Sequence, residues 1–166
     1  FHWILTLAIA VIIALCVNRF VLVNAEIPSG SMENTIMTGD RVFGNRLAYI
    51  FGEPKRFDII IFRYPDDEKQ LFIKRIIGLP GETVEIHDGQ IFIDGSKTPL
   101  KDVTTKEFMQ GSFGPYTVPD NCYFVMGDNR NNSKDSRYWE HTFVTDDEIV
   151  GKAFLRYWPL NKIKFL

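Results

Sequence analysis

The sequence is poor in the residues that build disulfide frameworks and metal sites. It holds 2 cysteines and 3 histidines in 166 residues. Two cysteines are too few for a disulfide framework or a four-cysteine zinc site. The histidines, His2, His87 and His141, are scattered and form no H-x-x-x-H pair, so a metal hydrolase would lack its ligands. We therefore expect no metal and no cofactor.

The chain also lacks an excess of charge of either sign. Lys and Arg number 19 and Asp and Glu 21, which gives a net charge of −2. Such a balance does not supply the basic surface that nucleic-acid-binding proteins use, so no nucleic-acid partner is expected. The glycine-rich loops of nucleotide sites and the G-x-S-x-G elbow of many serine hydrolases are absent as well.

Charge is scarcest at the amino-terminal end of the chain. Ile4 to Val23 is a run of 20 mostly apolar residues that contains one charged side chain, Arg19. A helix of that length spans about 30 Å, the thickness of the hydrocarbon core of a bilayer. Arg19 lies near one end of the run, where a long side chain reaches the lipid headgroups. We predict a membrane anchor over residues 1–25.

Two other interpretations of the apolar run stay open. A secretory signal peptide is compatible with the small residues around Val23-Asn24-Ala25, although the run is long for one. A buried core helix would need more protein around it than the 140 residues that follow supply. The chain begins at Phe1 rather than at methionine, so we expect further residues ahead of it in the natural protein.

Residues 26–166 have the pattern of short strands separated by turns. Eight runs rich in β-branched and aromatic residues carry it: 41–43, 57–64, 71–77, 83–87, 90–94, 116–118, 122–126 and 150–158. Asp88-Gly89 is typical of a hairpin turn, and Thr145 begins a segment, TDDE, that is typical of a short helical turn. We predict a mainly β fold, in which one N-terminal transmembrane helix precedes an all-β domain of packed antiparallel sheets. Residues 95–121, poor in apolar side chains, are predicted as a surface excursion.

The first segment with chemical potential is Ile27–Met32, IPSGSM, where the apolar head meets the body. Pro28 fixes one φ angle and Gly30 permits conformations that other residues resist, so the backbone is able to present Ser31 at a sharp bend. The same residue types are common in linkers, and the segment alone does not separate the two interpretations.

The second feature is Lys74, which lies in the predicted strand 71–77. Strand alternation places Lys74 on the same face as Phe72 and Ile76, two large apolar residues. If that face is turned inward, desolvation lowers the pKa of the lysine, and a neutral lysine is able to act as a general base. The alternative is a lysine at a sheet edge whose charged end reaches water.

The third feature is the polar segment 127–139, GDNRNNSKDSRYW, which follows an apolar strand. Loops after strands often hold functional residues. Its acidic residues, Asp128 and Asp135, are interleaved with three cations, which favours an ion-pair network over a calcium loop.

Together these segments resemble bacterial type I signal peptidase, a Ser-Lys protease family. IPSGSM is similar to the family's nucleophile segment, and GDRVFGNR at 39–46 is similar to the box that follows it. FDIIIFRYP and FIKRIIGLPGE resemble the lysine-bearing strands, and GDNRNNSKDSRYW resembles the last box. The matches occur in the family's order and cover nearly the whole chain.

The resemblance implies a membrane-anchored serine endopeptidase that removes signal peptides from exported preproteins after Ala-X-Ala sites. It implies a single-pass protein of the cell membrane with its all-β catalytic domain on the extracytoplasmic side. Its implied partners are preprotein signal peptides and membrane lipid, with no metal, cofactor or nucleic acid.

Individual roles follow from the same resemblance. Ser31 corresponds to the nucleophile and Lys74 to the general base, while the Ser29 hydroxyl and the Ser31 N–H correspond to the oxyanion hole. The supporting residues are a hydroxyl that orients the lysine and two charge pairs, namely Ser133, Asp128 with Arg75, and Asp135 with Arg137. The residues implied to line the substrate pockets are apolar, namely Ile27, Met32, Ile36 and Phe72.

The chain departs from the family pattern at a few positions. Asn34 stands where proline is frequent, Phe72 where tyrosine is frequent, and Asn131 and Glu140 where aspartate and glycine are usual. Two other functions stay open at this point. One is a membrane-tethered β module that binds partners without catalysis, and the other is a self-cleaving repressor-like protease, which would need a DNA-binding segment ahead of Ser31.

Overall fold

An apolar helix precedes a body of β-strands in the computed structural model, which describes residues 2–102 and 107–166. Helix α1 spans His2–Cys16 and continues as a π-helical turn over Val17–Val21. The 20 residues from His2 to Val21 are long and apolar enough to cross a membrane, and none of them is buried. The core-helix interpretation is therefore wrong, because these side chains lie outside the protein core.

The helical segment ends earlier than the sequence predicts. Leu22–Glu26 form strand β1, which pairs antiparallel with β2, Arg41–Asn45. Val23 is 4% exposed and packs inside the body. Hydropathy assigns this valine to lipid because a buried sheet residue and a lipid-facing residue are equally apolar. The sheet thus begins at Leu22, ahead of the boundary placed after residue 25.

The body consists of two antiparallel sheets. In the described part of the chain the remaining strands are β3 (Ile59–Tyr64), β4 (Asp67–Gly78), β5 (Thr83–His87), β6 (Gln90–Ile93), β7 (Phe113–Thr117), β8 (Cys122–Met126), β9 (Val144–Thr145), β10 (Ile149–Trp158) and β11 (Lys164–Phe165). The larger sheet has the order β1-β2-β10-β3-β4-β8-β9, with β11 paired to β10, and the smaller has the order β6-β5-β7. The predicted mainly β, antiparallel fold is confirmed.

The local turn signals act as the sequence predicts. Asp88 and Gly89 join β5 to β6 with φ angles of 47° and 76°, the left-handed conformation that this tight hairpin requires. Thr145 and Glu148 form a reciprocal capping box at a single 3-10 turn.

The segment 95–121 is only in part a surface excursion. Met109 and Val118 are 4% and 1% exposed and pack into a core cluster against the smaller sheet. Strand β7 within this segment pairs with β5. Met109 and Val118 are isolated apolar residues in this part of the sequence, and the pairing of β7 with β5 brings them into the same core cluster. Residues 103–106 of the segment lie outside the described residues.

Candidate active site

Ser31 lies in a 3-10 turn, Gly30–Met32, directly after the region of β1. Met32 is fully buried in the core and anchors the turn from below. From above, the Asn129 backbone N–H donates to the Ser31 carbonyl at 3.0 Å, and Asn129 Nδ2 donates to the Gly30 carbonyl at 3.0 Å. The segment is therefore an ordered part of the body rather than a linker.

Lys74 lies on β4 and faces this turn. Its Nζ donates to Ser31 Oγ at 2.7 Å and to the Ile73 carbonyl at 3.1 Å. Lys74 is 3% exposed and Ser31 is 7% exposed, so the contact is largely shielded from water. The fold thus joins two side chains that are 43 residues apart in the sequence.

Burial alters the acidity of this lysine. Desolvation penalises the ammonium form and lowers the pKa of Lys74 from 10.5 to about 8, against the opposing influence of the Asp135 and Asp128 carboxylates. At pH 7 a group with such a pKa is neutral in about one molecule in ten. A neutral amine then lies beside the Ser31 hydroxyl without any further rearrangement.

Both carboxylates that face Lys74 are neutralised by arginines. Arg75 Nε and Nη2 donate to the two oxygens of Asp128 at 2.8 and 2.7 Å. Arg137 Nε and Nη2 donate to the two oxygens of Asp135 at 2.8 and 2.9 Å. Asp128 and Asp135 are 1% and 0% exposed, so each pair is a buried bidentate bridge. Both charge pairs implied by the sequence are present.

The two supporting serines differ in their placement. Ser29 is exposed and its Oγ donates to Ser31 Oγ at 3.3 Å. Ser133 is 8% exposed, but its hydroxyl has no hydrogen-bond partner in the described part of the chain. The expected contact in which Ser133 orients Lys74 is therefore not made, because the Lys74 amine is held by Ser31 Oγ and the Ile73 carbonyl instead.

A cleft of about 610 Å³ opens over Ser31 and Lys74. Its other walls come mainly from β1, the Ile27–Met32 segment and β4. They comprise Asn24, Ala25, Glu26, Ile27, Pro28, Ser29, Gly30, Ile61, Gln70, Leu71, Phe72, Ile73, Asn132 and Lys134. Ile27 and Phe72 therefore line the cleft as expected. Met32 and Ile36 do not, because both are 0% exposed and pack in the core beneath it.

Sequence reasoning missed several residues that fix the site. Thr35 Oγ1 donates to Asp128 Oδ2 at 2.5 Å, and Asn129 holds the turn that carries Ser31. Gly127 allows close approach of the chain, since a Cβ there would lie 2.2 Å from Ser133 Oγ and 2.3 Å from the Ser31 carbonyl oxygen. The sequence signal for Gly127 and Asn129 was their place beside Asp128 in the polar segment.

Asn34 marks a local difference from the family pattern. Its φ angle is 90°, which proline cannot adopt because its ring fixes φ near −65°. The turn after Ser31 therefore takes a conformation that proline, the more frequent residue, would forbid.

This arrangement suits covalent hydrolysis of an amide. The Ser31 hydroxyl touches an amine of lowered pKa, and a second hydroxyl lies beside it at the floor of an open cleft. No group of three or more His, Cys, Asp or Glu side chains placed to hold a metal ion occurs within residues 2–102 and 107–166.

Comparison with known proteins gives the family. Residues 1–158 match the family model described as signal peptidase, peptidase S26. The chain is 38% identical over 166 residues to a probable signal peptidase I-2 of Synechocystis sp., covering 97% of this chain and 74% of that protein. It is 37% identical to signal peptidase I S of Bacillus subtilis, covering 98% of this chain and 91% of that one.

A solved structure agrees with these sequence matches. The crystal structure of a signal peptidase I from Enterococcus faecalis V583 superposes with a TM-score of 0.51 at 37% identity, covering 60% of this chain and 96% of that one. The family match also takes in the apolar helix and every residue of the cleft. The chain therefore belongs to the peptidase S26 family of signal peptidases.

Proposed function

We propose that Ser31 and Lys74 carry out the peptide-bond cleavage of this signal peptidase, as nucleophile and general base. The observation that carries the proposal is the buried contact of 2.7 Å between Lys74 Nζ and Ser31 Oγ. A Ser-Lys pair is a known variant of the serine-protease triad, in which the amine replaces histidine.

The first chemical step is acylation of the serine. Neutral Lys74 accepts the proton of the Ser31 hydroxyl while Oγ attacks the carbonyl carbon of the scissile bond. The negative charge that develops on the carbonyl oxygen is stabilised by the Ser29 hydroxyl and the Ser31 backbone N–H. In its ammonium form Lys74 donates to Ser31 instead of accepting from it, so activity requires that the lysine has lost a proton.

The second step releases both products. The proton now on Lys74 passes to the leaving amine as the C–N bond breaks, which leaves the signal peptide esterified to Ser31. A water molecule, deprotonated by Lys74, then attacks the ester carbonyl. The ester bond breaks, the proton on Lys74 passes to Ser31 Oγ, and the signal peptide leaves as a carboxylic acid that releases its proton to water.

Family membership sets aside both alternative functions. Residues 1–158 match a family of peptidases, so a binding module without catalysis is not the best description of this chain. A repressor-like protease needs a DNA-binding segment ahead of Ser31, whereas an exposed apolar helix long enough to cross a membrane occupies that position.

The edge of β4 offers a place for an extended substrate. Within the described residues β4 pairs with β8 only from Arg75 onward, so the Leu71–Lys74 portion is free to receive a further strand. Alternate side chains of a bound strand would point at the enzyme. We infer that the residues one and three positions before the scissile bond face apolar walls that include Ile27 and Phe72.

Walls so close to the reacting atoms leave room for small side chains only. A preprotein with alanine at both positions should be cut after the second alanine. Replacing that alanine by leucine should lower kcat/KM more than the roughly 10–200-fold change that one methylene group causes, because the larger side chain clashes with the walls. Efficient cleavage after leucine, measured by mass spectrometry of the products, would contradict the proposed specificity.

We further propose that the β body lies on the extracytoplasmic side of the membrane, next to one span. Ser31 follows the end of the span by only ten residues, which suits cutting a signal peptide just beyond its apolar segment. Protease added to the outside of spheroplasts should digest the body of the full chain. Protection of the body until the cells are lysed would contradict this orientation.

The proposal as a whole is tested with full-length protein in detergent and a labelled preprotein. Wild type and Ser96→Ala, which alters an exposed serine far from the cleft in sequence, should both release the mature fragment. Ser31→Ala should release none above background while keeping its melting temperature. Processing by Ser31→Ala at the wild-type rate would refute Ser31 as the nucleophile.

A further inference from the structure

Phe72 is the aromatic wall of the cleft that lies nearest to the lysine. The centre of its ring is 5.3 Å from Lys74 Nζ, and the ring is only partly buried because one side lines the cleft. Any movement of this ring would change two properties together. Water would gain or lose access to Lys74, and the wall that meets the substrate would shift.

Two buried aromatic side chains hold the Phe72 ring from behind. Tyr64, on the neighbouring strand β3, stacks on Phe72 with centroids 4.3 Å apart and planes 2° from parallel. Trp139 meets both rings by its edge, at 5.2 Å from Tyr64 and 6.1 Å from Phe72. Tyr64 and Trp139 are 7% and 5% exposed, so they are fixed by the surrounding core.

A single carboxylate ties this cluster together. Asp66, in the turn between β3 and β4, accepts the Tyr64 hydroxyl at 2.8 Å. It also accepts the backbone N–H groups of Glu140 at 3.1 Å and His141 at 2.8 Å, and contacts His141 Nδ1 at 2.9 Å. The turn that leads into β4 is thus fastened to the segment that carries Trp139.

We propose that Tyr64, Asp66 and Trp139 are positioning residues that hold the Phe72 ring beside Lys74, where it excludes water from the lysine and sets the width of the cleft. The inference rests on the proposed role of Lys74 as general base. It adds a specific cause for that role, because it assigns part of the lysine's dry environment to a cluster behind the cleft wall.

The ring influences Lys74 in two opposing ways. Its electron-rich face attracts the ammonium form, whereas its bulk keeps water away and favours the amine. Desolvation by burial is the largest cause of the lowered pKa of Lys74, and the Phe72 ring, 5.3 Å from Nζ, is one of the groups that cover the amine. We infer that the ring acts mainly by excluding water. The Ser31 hydroxyl contacts the amine, the arginine-paired carboxylates of Asp128 and Asp135 act on it through their charge, and Glu26 and Lys134 line the same cleft. None of these belongs to the aromatic cluster, so a change in the cluster reports on the ring.

The cluster itself keeps one charge state where the enzyme would be assayed. Burial raises the pKa of Tyr64 to about 12, so its hydroxyl remains a donor. Partial burial of Asp66 is outweighed by the hydrogen bonds from His141, Tyr64 and Glu140, which lower the pKa of Asp66 to about 2. The backbone N–H of His141 also donates to Asp66, so the turn does not depend on the imidazole ring alone.

The test compares two substitutions that remove an aromatic stack of similar geometry. Tyr64→Leu removes the stack on Phe72. Phe43→Leu removes the stack between Phe43 and Tyr157, whose centroids are 4.2 Å apart, at a place that does not line the cleft. Tyr64→Phe keeps the stack and loses only the hydroxyl, so it serves as the conservative variant.

For Tyr64→Leu we expect the rising limb of kcat/KM against pH to move up by about 0.5–1 pH unit, as water reaches Lys74. We also expect the preference for alanine over leucine at the residue before the scissile bond to fall by about tenfold, as the wall retreats. Tyr64→Phe, which keeps the stack but loses the hydrogen bond to Asp66, should shift both measurements in the same direction by a smaller amount. Phe43→Leu should lower the melting temperature and leave both unchanged.

Each outcome decides the inference. If Tyr64→Leu folds and keeps the wild-type pH limb and preference, the positioning role is refuted while Ser31 and Lys74 stand. If it does not fold, Asp66→Asn, which weakens the same fastening, must shift both readouts in the same direction, and the absence of a shift refutes the role. Turnover by Lys74→Ala at the wild-type rate would instead refute the proposed function on which the inference rests.

Discussion

Lys74 and Arg75 are adjacent on β4, and both are buried, at 3% and 8% exposure. Arg75 is bound by both oxygens of Asp128, at 2.8 and 2.7 Å. Lys74 donates to a hydroxyl and a carbonyl, and no described carboxylate lies within salt-bridge distance of it. One strand therefore carries two cations in opposite electrostatic situations.

The difference shows how burial serves two purposes at neighbouring positions. A buried guanidinium stays charged at any working pH, so it needs a carboxylate partner and then fixes the loop that carries Asp128. A buried ammonium without such a partner loses its proton more easily, which is what a general base requires. If the carboxylate were paired with Lys74 instead of Arg75, the lysine would keep its proton, and the loop that carries Asp128 would lose the arginine that fixes it.

The largest expected effect is the loss of activity when Lys74, or the Ser31 that it contacts, is replaced. Lys74→Ala and Ser31→Ala should each lower kcat by at least about 10⁴-fold, and the double variant should lose little more because the pair acts as one unit. Lys74→Arg should fail as well, since guanidinium does not deprotonate. Losses that multiply in the double variant, in single-turnover assays, would contradict the pairing.

Breaking the ion pair between Arg75 and Asp128 should mainly lower the stability of the fold. Asp128→Asn leaves Arg75 buried without its carboxylate, which should cost about 3–5 kcal/mol of unfolding free energy in denaturant titration, with lower turnover. Glu26→Gln, which breaks an exposed pair with Arg41, is the matched control and should cost at most about 1 kcal/mol. Equal losses of unfolding free energy in the two variants would show that the buried Asp128–Arg75 pair stabilises the fold no more than the exposed one.

Removing the neighbouring hydroxyl tests the oxyanion site rather than the base. Ser29→Ala should lower kcat by roughly 10²–10³-fold with little change in KM, because the donor matters only once the oxyanion forms. The pH dependence should keep its wild-type midpoint, since Lys74 is untouched. A shift of that midpoint would show that Ser29 influences the pKa of Lys74.

The unpaired lysine should also leave a signature in stability. The pKa of Lys74 is about 8 in the folded protein and near 10.5 when unfolded, so the unfolded state binds more protons between these values. Stability therefore rises with pH across that window, by roughly 3 kcal/mol, and the full penalty remains below pH 8. Between pH 7 and pH 10 the unfolding free energy from denaturant titration should rise by roughly 2.5 kcal/mol more for wild type than for Lys74→Met. Equal pH dependence in the two proteins would contradict this.

The smallest effect is expected at Ser133. Its hydroxyl makes no hydrogen bond in the described part of the chain, so Ser133→Ala should lower kcat by less than about tenfold. A loss beyond about 100-fold in the same assay would show that this hydroxyl engages Lys74 during turnover.

Local patterns in the sequence predicted those parts of the fold that local forces decide. Asp88-Gly89 and the Thr145 capping box depend on neighbouring residues, and both formed as expected. The charge pairs were reached through motif resemblance. Val23 was assigned to lipid because hydropathy does not distinguish a sheet interior from a bilayer.

The interior of the site was beyond sequence reasoning for a different reason. Met32 and Ile36 lie close to Ser31 in the sequence, but the turn directs them into the core, away from the cleft. Ser133 lies in the predicted segment, yet its hydroxyl points to no partner. Such orientations depend on how distant elements pack, which no short motif encodes.

The most direct test of the contrast between Lys74 and Arg75 is the titration of Lys74 itself. Full-length protein with ¹³C-labelled lysine, in detergent micelles, would give one Cε resonance that is missing in Lys74→Arg. We predict that this resonance titrates with a midpoint near 8. A midpoint at or above 10.5, the ordinary value for lysine, would contradict the assignment of Lys74 as the general base.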